Sequence, residues 1–533
     1  MRELQATRGG FVYPVAGILT LAAGYACWCG APLIWDGAYQ LNFSLIVQHP
    51  YVYRTRFHTF FLWQPVVLLS HYTSNRTALC MAFGLPFLLA PVVGLLVSWW
   101  LVRRQAPWLI LWVIFGVAIS PLPGQIFVIN DSIFQQHLFW PLFMSLFVRV
   151  DWRKWVVLAV LAVFQFAHQI GFVLLLGAMV AALGLAAVDA RRRRSLVVRA
   201  FLAGLLAVGA YWKLHHFVDP YAEDEMKSDA IWRCWGGTKG FPVYGLAFMW
   251  AAGALFWAGI QIRLGIGEGI TGEDPNPLRG PPPEYRGREN VPTLTDIAGV
   301  QRSARDTAQA GSTGPGSPSV HSTLIPRSAR TLFRLAFICV LIGATIWVYW
   351  AGDEHRWPWV AGYRRFVVPL TVPFYLLCWL DYAVRARRAH GCDPNGAGSW
   401  PAYPLFRIMG QLLAAVFAVV LGIQSTLFGS MVRRLIEDMR RYPGVVVPLS
   451  AVPWTVNTPM DHWTISDLAI AAQGKRPTQL LLSPEGIEQI RAIPPIVPNQ
   501  LVYPRGDVHP PPPNSNGWYD LRPIVDRLAS GRP

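Results

Sequence analysis

Two acids stand where they could do chemistry at the face of a membrane. Asp36 lies in Ile34-Trp35-Asp36-Gly37-Ala38-Tyr39, directly after the first long apolar run. A carboxylate there is costly unless it faces water or a partner. It could act as a general base on an acceptor hydroxyl, or help hold a divalent cation such as Mg2+ or Mn2+. An Asp followed by Gly fits a helix cap equally well. The second acid is Asp131, in Ile129-Asn130-Asp131-Ser132. It could meet Asp36 if both connections face the same side. It also suits the N-cap of the run that follows, with Gln135 and Gln136 near the first turn. His137 falls inside that run, where it could reach a substrate or hydrogen-bond a neighbouring helix.

Three further groups carry polar chemistry. His168-Gln169 interrupts two apolar runs, so it should line a cavity or face a partner helix. Tyr363-Arg364-Arg365-Phe366 precedes a late apolar run. The planar fork of Arg suits phosphate, so a lipid headgroup or a lipid-linked phosphate is a sensible partner for Arg364 and Arg365. The same side chains could simply snorkel to bulk lipid. His215-His216-Phe217-Val218-Asp219, with Glu223, Asp224 and Glu225, holds metal-ligand types at a spacing that matches no known site, and reads as a solvated loop. The sequence has no P-loop, no GxGxxG following a strand, no GxSxG and no HExxH.

The elements that must position these residues are membrane spans. Of 533 residues 53% are hydrophobic and only 14% charged, against about 25% charged in a soluble domain. The apolar residues come in blocks of about 18 to 26, the length that crosses a bilayer. Tryptophans mark block ends: Trp35, Trp99, Trp100, Trp112, Trp350, Trp357 and Trp359. Interfacial aromatic belts look like this. Spans are expected near 11–34, 78–102, 106–122, 133–149, 155–168, 170–189, 196–214, 243–263, 332–350, 366–384 and 404–429. The fifth is short, and with the sixth it could form a broken or re-entrant pair about Ala167-His168-Gln169.

Charge sets the orientation. The formal net charge is +16, and most of the excess sits in short loops, which orientation by the positive-inside rule explains without nucleic acid. With a cytoplasmic N-terminus, Arg103-Arg104, Arg149 with Arg153-Lys154, Arg191 to Arg194, and Arg385 with Arg387-Arg388 all fall on the inner side. About eleven spans then leave the C-terminus outside. The expected protein is an all-α polytopic membrane protein with a small α/β-like outer C-terminal domain. The seven cysteines form no metal-spaced cluster and no disulfide framework.

The domain organisation follows. Residues 1–263 form an N-terminal transmembrane module with a first outer loop at 35–77, in which Thr59 to Ser70 could be an interfacial amphipathic helix. Residues 264–331 are a cytoplasmic insert rich in Gly, Pro, Ser and Arg that reads as disordered. Residues 332–429 hold the last spans, and 430–533 the outer domain. There Val445 to Leu449 and Gln479 to Leu482 read as strands, and Ser466 to Ala472 and Pro484 to Arg491 as helices.

This layout resembles the GT-C superfamily of membrane glycosyltransferases, over about the whole chain. The likeness rests on Asp36 after the first span, Asp131 in the second outer loop, Arg364 and Arg365 before a late span, and the trailing outer domain. Asp36-Gly37-Ala38-Tyr39-Gln40 and His137-Leu138-Phe139-Trp140-Pro141 look similar to uncharacterised bacterial proteins of this type. Many members pair two acids in the first loop, whereas Asp36 stands alone. The resemblance implies sugar transfer from a polyprenyl-phosphate donor at the outer face of a bacterial inner (plasma) membrane. Asp36 would then be the catalytic base or a metal-site acid, Asp131 a second acid, and Arg365 a contact to the donor phosphate. Rival readings are a transporter or flippase, a polysaccharide polymerase, and a non-catalytic scaffold.

Overall fold

The computed structural model describes residues 10–34, 36–47, 58–119, 131–168, 170–216, 374–383, 403–452, 462–482, 501–502, 508–509, 524 and 527. The chain divides into two units, Met1–Ala258 with Val340–Pro533, and Gly259–Cys339. The second unit lies outside the described residues, as do the expected spans 243–263 and 332–350 and the helix expected at Pro484 to Arg491.

The described residues are mostly helical. In chain order the helices are α1 (Val12–Trp28), α2 (Asp36–Val47), α3 (His58–Leu62), α4 (Gln64–Ser70), α5 (Arg76–Leu88), α6 (Ala90–Val102), α7 (Ile110–Ile119), α8 (Asp131–Ser145), α9 (Trp152–Val163), α10 (Ile170–Val188), α11 (Arg193–His216), α12 (Tyr403–Arg441) and α13 (His462–Gln473). Residues 374–383 are also helical. Among the described residues, four stretches are long and apolar enough to cross a membrane: Arg76–Val102, Ile170–Val188, Arg193–Lys213 and Gly410–Arg441. That is the make-up of an α-helical membrane protein. Their outward faces are apolar too. On α11 the exposed side chains include Val197, Val198, Phe201, Leu205 and Val208, and on α12 Leu412, Val419, Ile423 and Leu427. A helix apolar on both faces belongs in hydrocarbon or deep in a core.

Contacts between helices fix their relative directions. Gly410 of α12 lies beside Phe11, and Gly429 beside the Cys29 carbonyl, so α1 and α12 run parallel. Tyr25 and Thr426 hydrogen-bond at 2.8 Å along that seam. Gly94 of α6 lies against the His137 backbone. Gln105 and Arg149, just past the ends of α6 and α8, exchange two hydrogen bonds of 2.9 and 2.7 Å. Those two helices are therefore parallel as well. Tyr375 donates to the Gln136 carbonyl at 3.1 Å, while Tyr382 accepts from Arg192 at 2.7 Å. Residues 374–383 thus descend alongside α8.

Two segments depart from the sequence expectation. The first apolar run is not one helix to residue 34. α1 stops at Trp28, Gly30 takes a left-handed φ of +80°, and a 3-10 turn with Pro32 covers Ala31–Leu33. Proline disrupts an α-helix and glycine accepts the left-handed turn, so the chain breaks there. Asp36 consequently opens a second helix, α2, within the segment expected as loop. The expected helix Thr59 to Ser70 is two short helices parted at Trp63, with Pro65 in the first turn of α4. Phe60, Phe61 and Leu68 on it are exposed, as an interfacial face requires.

α9 with its 3-10 extension Phe164–Phe166 runs the height of α8. Lys154 lies 5.8 Å from the Trp100 ring at one end, and Gln165 meets Gln135 at the other. α9 with this turn therefore extends alongside α8 from one end to the other, and α10 follows it. α12 has 39 residues, about 58 Å at 1.5 Å per residue, and continues past residue 429 to Arg441. Beyond it a small β-α-β unit forms. β1 (Val446–Pro448) pairs in parallel with β2 (Leu480–Leu482), with α13 between them. β3 (Leu501–Val502) and β4 (Val508–His509) make a separate antiparallel pair.

Candidate functional site

Asp131 is the first residue of α8, where the helix dipole favours an acid. It is 3% exposed, and its Oδ1 lies 2.6 Å from Nε2 of His58, which is fully buried. His58 opens α3, so two helix starts meet at the pair. The imidazole lies nearly parallel to the Phe134 ring, centroids 5.9 Å apart. Phe134 in turn packs edge-on against Phe87 and Phe164 at 5.7 and 5.9 Å. The His58 ring is thus backed by Phe134 of α8, which is itself packed by rings from α5 and the 3-10 turn after α9.

Polar groups surround the His58–Asp131 pair on the first turns of α8. Gln135 and Gln165, both fully buried, donate reciprocally to each other's backbone carbonyls. Thr59, Gln136 and His137 are buried as well. Among the described residues, the side-chain oxygens of Gln40, Gln135 and Gln165 and Nδ1 of His137 find no hydrogen-bond partner. Buried polar groups in an apolar bundle are normally satisfied, so this end has hydrogen-bonding capacity to spare.

α2 ties the site to the C-terminal unit. Asn42 donates from Nδ2 to the Asp467 backbone carbonyl at 3.0 Å and to its carboxylate at 3.2 Å. Both residues are buried. Arg76, at the start of α5, reaches the Ala472 carbonyl at 3.4 Å. Phe43 of α2 meets Trp63, between α3 and α4, edge-on at 6.0 Å. The helix that Asp36 opens is therefore held between the β-α-β unit and the segment bearing His58.

Asp131 and His137 share this end of α8. Half-buried His168 accepts from the Ile170 backbone N–H at 3.3 Å through Nδ1, which caps α10. Asp36 begins α2, but its side chain lies outside the described residues, as do Gln169, Arg364 and Arg365. The structure brings Asp131 to His58, a residue whose sequence context gave no hint of a role. No group of three His, Cys, Asp or Glu side chains gathers among the described residues, which do not include the Asp36 side chain. What the arrangement can do is hold a carboxylate and an imidazole in fixed register, the pairing that orients a base or passes a proton. At the opposite end Asp151 caps α9, and the backbone N–H of Lys154, at 3.0 Å, holds its carboxyl below the ordinary range.

No protein-family model, curated protein or solved structure matches the chain.

Proposed function

We propose that the protein is an eleven-span membrane glycosyltransferase of GT-C type. It moves a sugar from a polyprenyl-phosphate donor to an acceptor at the outer face of a bacterial plasma membrane. The observation that carries this reading is the position of the buried His58–Asp131 pair. It lies at the end of the bundle remote from Arg149 and Arg192, and by the positive-inside rule that end faces out. The helix directions support the count. α11 ends where Lys213 meets the Phe166 carbonyl, the same end at which 374–383 begins. An even number of crossings must join them, which spans at 243–263 and 332–350 supply.

In this reading Asp36 takes the proton of the acceptor hydroxyl. The resulting oxygen forms a bond to the anomeric carbon, the bond from that carbon to the donor phosphate breaks, and configuration inverts. Arg364 and Arg365 neutralise the departing phosphate. Asp131 is occupied by His58, so it serves as a positioning group and leaves the base role to Asp36. The unused amide oxygens of Gln135 and Gln165 suit sugar hydroxyls. One observation favours a non-catalytic scaffold instead: Asp36 is the first residue of a helix, a place where an acid stabilises by itself.

The test is turnover of a panel of polyprenyl-phosphate sugars by purified full-length protein. Asp36→Ala should lower kcat/KM by about 100-fold or more, and Arg365→Ala should raise the donor KM. Full activity in Asp36→Ala, or no turnover of any donor by the wild type, would sink the proposal.

A further inference from the structure

The end of the bundle opposite Asp131 gathers cations from several helix termini. Arg192 and Arg199 are structural. Arg199 donates to the Ser145 carbonyl and, at 2.9 Å, to that of Val148. Arg192 donates to the carbonyls of Leu146 and Val148 at 2.9 and 3.1 Å. Together they satisfy the carbonyls at the C-terminus of α8, which no intrahelical donor can reach. The other arginines are exposed, Arg193 while also donating from Nε to the Ala186 carbonyl at 3.2 Å. Arg103 and Arg104 follow α6, and Arg149 and Arg153 flank the turn into α9. Arg191, Arg193 and Arg194 lie at the turn from α10 into α11. All seven are exposed, and among the described residues the one exposed acid beside them is Asp151, already 3.6 Å from Lys154.

Tryptophans border these cations. Trp152 and Trp155 are exposed. The Arg153 guanidinium lies 5.5 Å from the Trp152 ring, and that of Arg199 5.7 Å from Trp155. From there α9 presents Val156, Val160 and Val163 outward, at helical spacing along one face. A charged rim, a tryptophan border and an apolar wall in that order match the layers of one bilayer leaflet.

We propose that this end of the bundle is a binding surface for anionic phospholipids. The phosphate headgroup meets the exposed arginines, and the acyl chains lie along the apolar face of α9. The partner follows from charge complementarity: seven exposed guanidiniums, one of them stacked on a tryptophan, suit a phosphodiester, and the adjoining apolar wall suits its chains. The proposal is independent of the glycosyltransferase reading.

The experiment titrates short-chain phosphatidylglycerol into the detergent-solubilised full-length protein and follows the thermal unfolding midpoint. Phosphatidylcholine of the same chain length and inorganic phosphate serve as comparisons. Phosphatidylglycerol should raise the midpoint saturably, and the comparisons should not. In the triple variant Arg191→Gln, Arg193→Gln, Arg194→Gln the half-saturating concentration should rise about tenfold or more, while the Lys triple variant stays within a few-fold of wild type. If the Gln triple does not fold, the pair Arg103→Gln and Arg104→Gln is read the same way. Equal shifts with phosphatidylcholine, a shift with phosphate alone, or unchanged half-saturation in the Gln variants would overturn it.

Discussion

His58 and Asp131 are separated by 73 positions in sequence, yet their side chains meet at 2.6 Å in the interior. A carboxylate taken out of water is stable only while its partner is present. His58→Ala should therefore destabilise the protein by about 3 kcal/mol, and Asp131→Asn by less, because an amide can still accept from the ring. The double variant should cost less than the sum of the singles. Thermal unfolding of the four proteins in detergent measures this cycle, and strict additivity would show that the two side chains do not act together. Asp131 stands out in the sequence because an acid beside an apolar run with amides after it has a local signature. His58 has none. It sits among Arg56, Phe57 and Phe60, and only the folding back of α3 onto α8 gives it a partner. The Asn42–Asp467 bond is hidden for the same reason, since its partners lie in α2 and α13, 425 positions apart.

Among the elements, apolar blocks announced themselves by length, and the helices from Arg76 to His216 begin within a few residues of the expected places. The first block misled because composition alone cannot place a break. Ile34 and Leu33 are as apolar as the residues of α1, and only Gly30 and Pro32 mark the turn. Close packing was equally hidden. Gly94 brings α6 against α8 so tightly that a Cβ would overlap the His137 carbonyl, and Gly116 abuts the Trp140 indole in the same way. Small residues let membrane helices approach like this. A carbonyl in a helix cannot swing aside, so Gly94→Ala should cost about 1–3 kcal/mol. Gly17→Ala on α1 meets nothing within 4 Å, and should be neutral or slightly stabilising, since Ala favours helix. Equal midpoints for the two variants would contradict this packing.

For the whole molecule, the alternation of helix direction and the gathering of arginines at one end make a single statement about sidedness. Arg149 and Arg192 lie together at the foot of α8, and the His58–Asp131 pair lies at its head. The β-α-β unit docks on α2 beside that head. The basic loops after α6, α8 and α10 meet at one end by direct contacts, while Arg385, Arg387 and Arg388 lie outside the described residues. The sequence did not carry which outer residues meet, because long-range pairing depends on packing angles that no local pattern encodes. The proposed outer-face chemistry stands on this orientation. It is tested most directly by labelling intact cells with a membrane-impermeant maleimide. Two single-cysteine additions are compared with the wild type, Ser195→Cys at the α11 start and Arg476→Cys just after α13, both at exposed positions. Arg476→Cys should label from outside, and Ser195→Cys only after the membrane is permeabilised. Labelling of both from the same side, or the reverse pattern, would contradict the account.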